Sequence, residues 1–415
     1  MGRLMRTTTS LKYVITVIVS ASIAVPAFAQ HRPKPNLPKS TRPANSDGIA
    51  EARLIEIFRL IGASNARAAL GKAETLVKDY PHFQLAQLVY GDLLSALSRP
   101  IRQIGDVTRE LEQASASNLE ALREESKLRI AALQQRPPVD SIPSQFVGLS
   151  RRNKHVIAVD TAKARLYLFQ NTGSGTRLLA DYYISVGKSG VRKNVEGDQR
   201  TPLGVYFITS NLDPNSLKDL YGSGALPVNY PNVLDLRRGK TGSGIWLHGT
   251  PSTQFTRAPQ ATDGCVAVAN PDLDRIIKTV EIRTTPVLIG ENFKWVRPVE
   301  LQRERQQLNG TLQSWAAAKS SGSANELMRY YASDFSADGK DRAAFGESLQ
   351  AEIAKLGKKI IQLNDVSLIR WTDDAEILVA TFGELVQGER TGRTVRQYWQ
   401  KRTDAWKIIY EGVVG

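Results

Sequence analysis

A chain of 415 residues is longer than one hydrophobic core organises and implies two or three domains. With 41% hydrophobic and 23% charged residues, the composition excludes a largely disordered or fibrous chain. A formal charge of +14 fits an acidic partner as well as a merely solvating surface, and a single cysteine excludes any intramolecular disulfide.

Residues 1–29 read as a secretory signal peptide. Arg3, Arg6 and Lys12 make a basic start, Tyr13 to Val25 is almost wholly apolar, and Ala27-Phe28-Ala29 places small residues before a cleavage point. Cleavage removes three basic residues and takes the charge from +14 to +11. The expected location is the periplasm, with membrane attachment only if the signal stays uncleaved. Export argues against nucleic acid as the acidic partner, which leaves anionic lipid or an acidic polymer. Residues 30–48 are rich in proline and basic side chains and read as a flexible tether.

From 49 to 135 apolar residues recur at steps of three and four, as in Leu54, Ile57, Phe58, Ile61 and in Leu85, Leu88, Val89, Leu93, which predicts an all-α domain with a break at Tyr80-Pro81. Residues 136–149 open with a proline-rich run and read as a linker. A mainly-β domain is expected over 150–295. It begins with two strands in His155 to Gln170, continues through Asp181 to Val186 and Val205 to Thr209, and holds a helix at Pro271 to Val280 with Asn270 as N-cap. Over 300–415 helical periodicity at Leu301 to Ala318 and Asp341 to Leu356 precedes four strand-like runs, at 360–371, 375–386, 391–402 and 406–410, which predicts an α+β domain with a curved sheet on helices.

The chemistry concentrates in Gly244 to Ile276. An apolar strand delivers His248, and seventeen residues later a turn with Thr262, Asp263 and Gly264 delivers Cys265. A thiol becomes a nucleophile as its thiolate, and an imidazole beside it takes the proton and returns it to a leaving amine. Gly264 tolerates a tight turn, so the peptide N–H groups of Gly264 and Cys265 are candidate oxyanion donors. From spacing alone, inert burial of Cys265 and His248 reads equally well. Lys188, Arg192, Lys193 and Arg200 frame a glycine loop that reads as solvated surface before it reads as a carboxylate site. The histidines at 31, 82, 155 and 248 are scattered without ligand spacing, so no metal is expected, and no dinucleotide or phosphate-loop signature implies another cofactor.

Four features in order, the LYLF opening, Thr201-Pro202-Leu203-Gly204-Val205-Tyr206, His248-Gly249 and Thr262-Asp263-Gly264-Cys265, resemble the YkuD-type L,D-transpeptidase catalytic domain. The resemblance implies that Cys265 attacks the carbonyl of the third residue of a peptidoglycan peptide stem. His248 would be general base and acid, oriented by the backbone carbonyl of Gly249, with no acidic third member, so Asp263 is a poor candidate for one. Tyr221, Asn229, Tyr230, Thr262 and Asp263 are candidate substrate contacts. The arginine that many members carry two places after the cysteine is replaced here by Ala267. The run from Tyr221 to Asn232 and the segment GCVAVANPDL resemble a sub-branch that includes L,D-carboxypeptidases of cell-shape determination. Residues from about 305 to 415, with Tyr331 to Phe335 and DGKDRAAF, resemble a nuclear-transport-factor-2-like cone, which implies a binding or docking role. The reaction expected is L,D-transpeptidation at the diaminopimelate to D-alanine bond of the tetrapeptide stem. Hydrolytic trimming of that stem, hydrolysis of a protein-to-wall amide and a non-catalytic wall-binding scaffold are the alternatives, and cell-wall proteins are possible partners of the helical and C-terminal domains.

Overall fold

The computed structural model describes residues 48–414 except 174, 358 and 404, so the export segment 1–29 and the tether up to residue 47 lie outside the described residues. Five helices come first: α1 (Ile49–Gly62), α2 (Ala66–Asp79), α3 (Gln84–Ser95), α4 (Arg109–Ala114) and α5 (Ala116–Gln134). The apolar stripes of α1, α2 and α3 meet in one cluster that includes Leu54, Ile57, Leu76, Phe83 and Val89, with Leu122 of α5 packed against it. Among the described residues no helix is long and apolar enough to cross a membrane.

The segment read as a linker contains two short buried strands, β1 (Ile142–Pro143) and β2 (Phe146–Gly148). This corrects the expectation over 136–149. Prolines marked a break in helix, yet Ile142, Phe146 and Val147 carry enough apolar surface to be buried, and a proline is tolerated at a sheet edge. The chain then runs through β3 (His155–Asp160), β4 (Arg165–Thr172), β5 (Gly175–Gly187), β6 (Gly204–Phe207), β7 (Ala225–Pro227), α6 (Val233–Arg237), β8 (Trp246–His248), β9 (Gln260–Thr262), β10 (Val266–Val268), α7 (Asn270–Thr279), β11 (Pro286–Gly290) and β12 (Trp295–Val296). One sheet is ordered β6-β11-β3-β4-β5-β10-β8-β7, with β9 paired to β5. At its far end β10 and β8 run parallel, with Val266 opposite Leu247 and Ala267 opposite His248.

The C-terminal part comprises α8 (Gln302–Ser320), α9 (Ala324–Met328), β13 (Ser336–Ala337), β14 (Lys340–Asp341), α10 (Arg342–Leu356), β15 (Ile361–Thr372), β16 (Glu376–Val386), β17 (Arg393–Lys401) and β18 (Trp406–Val413). Its sheet is ordered β18-β17-β16-β15-β2, so the former linker supplies an edge strand. Both faces of this sheet are buried, as unbroken apolar runs such as Ile377-Leu378-Val379-Ala380 require. Leu368, Leu378, Phe382 and Trp399 face the helices, while Ile369, Trp371, Ile377 and Tyr398 join the core of the central domain. Inside the cone, Lys319 is fully buried between Glu384 (2.8 Å) and Glu352 (3.1 Å), and Tyr331 and Gln397 both donate to Glu411 (2.8 and 2.7 Å).

The helical domain meets the central one through buried charge. Glu51 pairs with Arg129 and, at 3.0 Å, with Arg165; Arg165 pairs with Asp181 and Arg129 with Glu125 (2.6 Å). Arg129 also lies over the Tyr183 ring, 3.9 Å from its centroid. Beside this cluster Asp272 of α7 is pushed up to about 7, chiefly by burial and then by the charge of Glu51. The folded protein therefore keeps a proton that the unfolded chain, with the ordinary carboxyl value, releases; stability falls as pH rises from about 4 through about 7. Replacing Asp272 with Asn is expected to remove that slope. Melting temperatures of the two proteins measured from pH 5 to pH 8 should diverge toward pH 8 with the variant the more stable, and parallel curves would show that Asp272 does not titrate there.

Candidate active site

His248 ends β8 and is buried, with its Nδ1 2.7 Å from the carbonyl oxygen of Gly249. A carbonyl only accepts, so Nδ1 carries the proton and Nε2 the free lone pair. Tyr221 packs its ring 5.2 Å from His248, edge to face, and 4.7 Å from Trp246. Burial, and then the charge of Arg257, take His248 down to about 4, so the imidazole is neutral at pH 7.

Cys265 precedes β10 by one residue. Its Sγ accepts from the Trp246 N–H at 3.4 Å and donates to the Gly244 carbonyl at 3.3 Å. Burial pushes the thiol up to about 11, against the Trp246 N–H and the charges of Arg257 and Lys193 that pull it down. The resting site therefore holds a neutral thiol two positions along the ladder from a neutral imidazole. Attack then requires proton transfer during the reaction rather than a preformed ion pair.

Hydroxyls hold the cysteine turn. Thr262 Oγ1 accepts from the Gly264 N–H (3.1 Å) and donates to the Cys265 carbonyl (2.7 Å), and Thr201 Oγ1 donates to the Gly264 carbonyl (2.9 Å) while accepting from the Gly187 N–H (2.9 Å). Two expectations are thereby corrected. The Gly264 N–H is spent on Thr262 and is not free for an oxyanion, and Thr262 is a buried brace rather than a substrate contact. Gly264 has φ +124°, and a Cβ there would lie 2.8 Å from the Arg200 carbonyl oxygen, which explains the glycine.

One further substrate contact is corrected. Tyr230 is in the core, its hydroxyl bound to the Thr241 carbonyl (3.1 Å). Asn229 is half-buried and uses Oδ1 to accept from the Phe207 N–H (2.7 Å), pinning β6. Asp263 is exposed beside Cys265 in an ion pair with Lys188 (2.9 Å), and Tyr221 remains at the site. The other basic residues of the glycine loop are also partnered: Arg192 with Glu291, Lys193 with Asp198 and Arg200 with the Val191 carbonyl.

Sequence reasoning missed Asn270 and Arg257. Asn270 opens α7, yet its carboxamide does not cap that helix. Oδ1 accepts from the N–H groups of Ser223 and Thr250 (3.0 Å each), and Nδ2 donates to the Thr250 carbonyl (2.9 Å). A Cβ on Gly249 would collide with this carboxamide, so glycine and asparagine together fix the carbonyl that holds His248. An Asn-Pro before a helix carries the same sequence signal as an ordinary N-cap, which hid this role. Among the described residues no group of three or more His, Cys, Asp or Glu is placed to hold a metal ion.

Residues 154–289 match the YkuD family, the L,D-transpeptidase catalytic domain, and residues 307–412 match the C-terminal NTF2-like domain of Cds6. No curated protein matches the chain. Among solved structures it is similar to Bd1075 of Bdellovibrio bacteriovorus, at 26% identity and TM-score 0.57 over 66% of this chain and 98% of that one. It is also similar to the helical cell shape determining protein Pgp2 of Campylobacter jejuni, at 22% identity and TM-score 0.53 over 65% and 95%, a likeness of fold. The chain carries a YkuD-type L,D-transpeptidase/carboxypeptidase catalytic domain followed by a C-terminal NTF2-like domain. It is a cysteine-dependent enzyme that modifies the stem peptides of peptidoglycan.

The Asn270 brace generates a prediction. Asn270→Ala should lower kcat/KM by about 10- to 100-fold through a loosened Gly249 carbonyl, because small displacements of a catalytic group cost that much. The melting curve should shift only as the loss of three hydrogen bonds requires, about 1–3 kcal/mol. Steady-state kinetics and thermal unfolding on the same sample separate the two effects.

Proposed function

We propose that this enzyme is a periplasmic L,D-carboxypeptidase that trims the tetrapeptide stem to the tripeptide, with Cys265 as nucleophile, His248 as general base and acid, and water as acceptor. The observation that carries the choice of water is Ala267. The position that bears a cation in many transpeptidases is here a buried alanine, paired with Ser185 on one side and His248 on the other, so β10 offers nothing to hold the carboxylates of an incoming second stem. Hydrolysis needs no such subsite. Likeness to a cell-shape determining protein supports the reading, since trimming a stem removes it as a later cross-linking donor. The basic, apolar and small-residue succession of residues 1–29 supports export.

The steps follow from the site. Nε2 of His248 takes the thiol proton as Sγ attacks the carbonyl of the third stem residue, and the peptide N–H of Cys265 faces the developing oxyanion. The imidazolium, acidic because it is buried, hands its proton to the departing amine of D-alanine, leaving a thioester on Cys265. Water then attacks with His248 again accepting the proton; collapse restores the thiol and releases the tripeptide carboxylate. Asn270 and the Thr201 and Thr262 hydroxyls hold the two reacting groups. The NTF2-like domain serves docking to wall components on its outer surface, since its interior is filled by the Lys319 and Glu411 clusters.

Mass spectrometry of products from a diaminopimelate tetrapeptide muropeptide, in water enriched in heavy oxygen, tests this. Clean tripeptide carrying one heavy oxygen, absent with Cys265→Ala, is expected; cross-linked dimers or exchanged terminal residues would make it a transpeptidase. The pH dependence follows as well. kcat/KM should hold from pH 7 down to about 5 and fall only as His248 protonates near 4, and an acid limb centred near 6.5 would show that the imidazole is not buried in the working enzyme.

A further inference from the structure

The crossover between His248 and Cys265 is held by the helical domain. Phe255 places its ring 4.6 Å from Phe83 and 5.1 Å from Tyr80, and its N–H donates to the His82 carbonyl at 3.0 Å. Thr256 Oγ1 donates to the buried carboxylate of Glu125 (3.0 Å). The hydroxyl of Tyr183, the ring beneath Arg129, donates to the carbonyl of Arg257 (3.0 Å). Three consecutive residues are thus tied to the α2–α3 turn, to α5 and to β5.

This anchored backbone presents an unanchored side chain. Arg257 is half-buried, and its guanidinium makes no hydrogen bond or ion pair among the described residues, whereas Lys188, Arg192, Lys193 and Arg200 each have a partner. Its charge bears on both His248 and Cys265, and its own burial, only partly offset by the charge of Asp263, which forms no ion pair with it, disfavours the charged form. A half-desolvated guanidinium is stabilised by a carboxylate in its plane, to which it donates two parallel hydrogen bonds.

We propose that Arg257 is the carboxylate-binding cation of this active site and that the helical domain, through Phe255 and Thr256, positions it. The inference rests on the stem-peptide reading above. The ligand is a carboxylate adjoining the scissile bond. The two residues that flank that bond each carry one, the terminal carboxylate of D-alanine and the free one on the diaminopimelate side chain. Phe255 and Thr256 are positioning residues, acting through the loop. The helical domain is therefore a working part of the substrate site.

The test uses the full mature chain carrying Cys265→Ala, which binds without turnover, and three ligands: the tetrapeptide stem, the same stem amidated at D-alanine, and the stem amidated at the free diaminopimelate carboxylate. Calorimetry should show one amide binding about 10- to 100-fold more weakly than the acid, as loss of a charge-assisted pair implies. Which amide does so identifies the carboxylate. Adding Arg257→Gln should weaken the acid by the same factor and leave that amide unchanged, and Arg257→Lys should keep part of the preference. Equal weakening of all three ligands, or none, would overturn the assignment. In the Cys265 enzyme, Thr256→Val and Phe255→Ala should raise KM for the acid stem while kcat on the sensitive amide stays within about twofold; a uniform fall in kcat on every substrate would mean general structural damage and overturn the positioning role. Tripeptide formation that survives Arg257→Gln with unchanged KM would remove Arg257 and leave the hydrolytic reading standing, whereas failure of the Cys265→Ala chain to bind any stem would remove both.

Discussion

Two three-residue strands, β8 and β10, lie parallel with only two paired positions between them, and the chemistry depends on that pairing. Parallel neighbours require a long crossover, and so short a ladder has little stability of its own. The chain answers with braces from outside the ladder. Asn270 ties the residue after Gly249 to Ser223, and Thr201 and Thr262 close the turn before Cys265. Thr262 acts within the cysteine turn, whereas Thr201 and Asn270 reach their partners across longer stretches of sequence, so the geometry is shared among several elements.

Burial around this ladder sets the electrostatics. Desolvation drives His248 down and Cys265 up, so both rest uncharged. The same low-dielectric surroundings strengthen every dipole aimed at the reacting carbonyl. The neutrality of both groups at rest has this one cause.

The domains are joined by interfaces of different character. The C-terminal sheet shares an apolar core with the catalytic domain through Ile369, Trp371 and Tyr398, with Arg396 lying over Phe207 (3.4 Å to the centroid). The helical domain meets it through the buried charges of Glu51, Arg129, Glu125, Arg165 and Asp181 beside the Phe255 contact with Phe83 and Tyr80, and the directional ion pairs fix orientation more than they add net stability. Such an interface suits a part whose task is to hold one loop in register.

Local pattern by itself determined the helical stretches, most strands of the central sheet and the helix-then-meander order of the C-terminal part, because periodicity is encoded by adjacent residues, and it singled out Cys265 and His248 as candidates. Polar residues with long-range partners were misread. Asn270 carried an N-cap signal and became a brace, and Tyr230 looked like a substrate contact and was buried with its hydroxyl on the Thr241 carbonyl; within the cysteine turn itself Thr262 is a buried brace that takes the Gly264 N–H. Arg257 could not be told from the other basic residues until the structure showed which of them had found partners. The prolines of 136–149 concealed a strand whose partner lies more than two hundred residues away. What a side chain does depends on which donors and acceptors the fold brings to it, and for those separated by a domain's length only the tertiary structure decides.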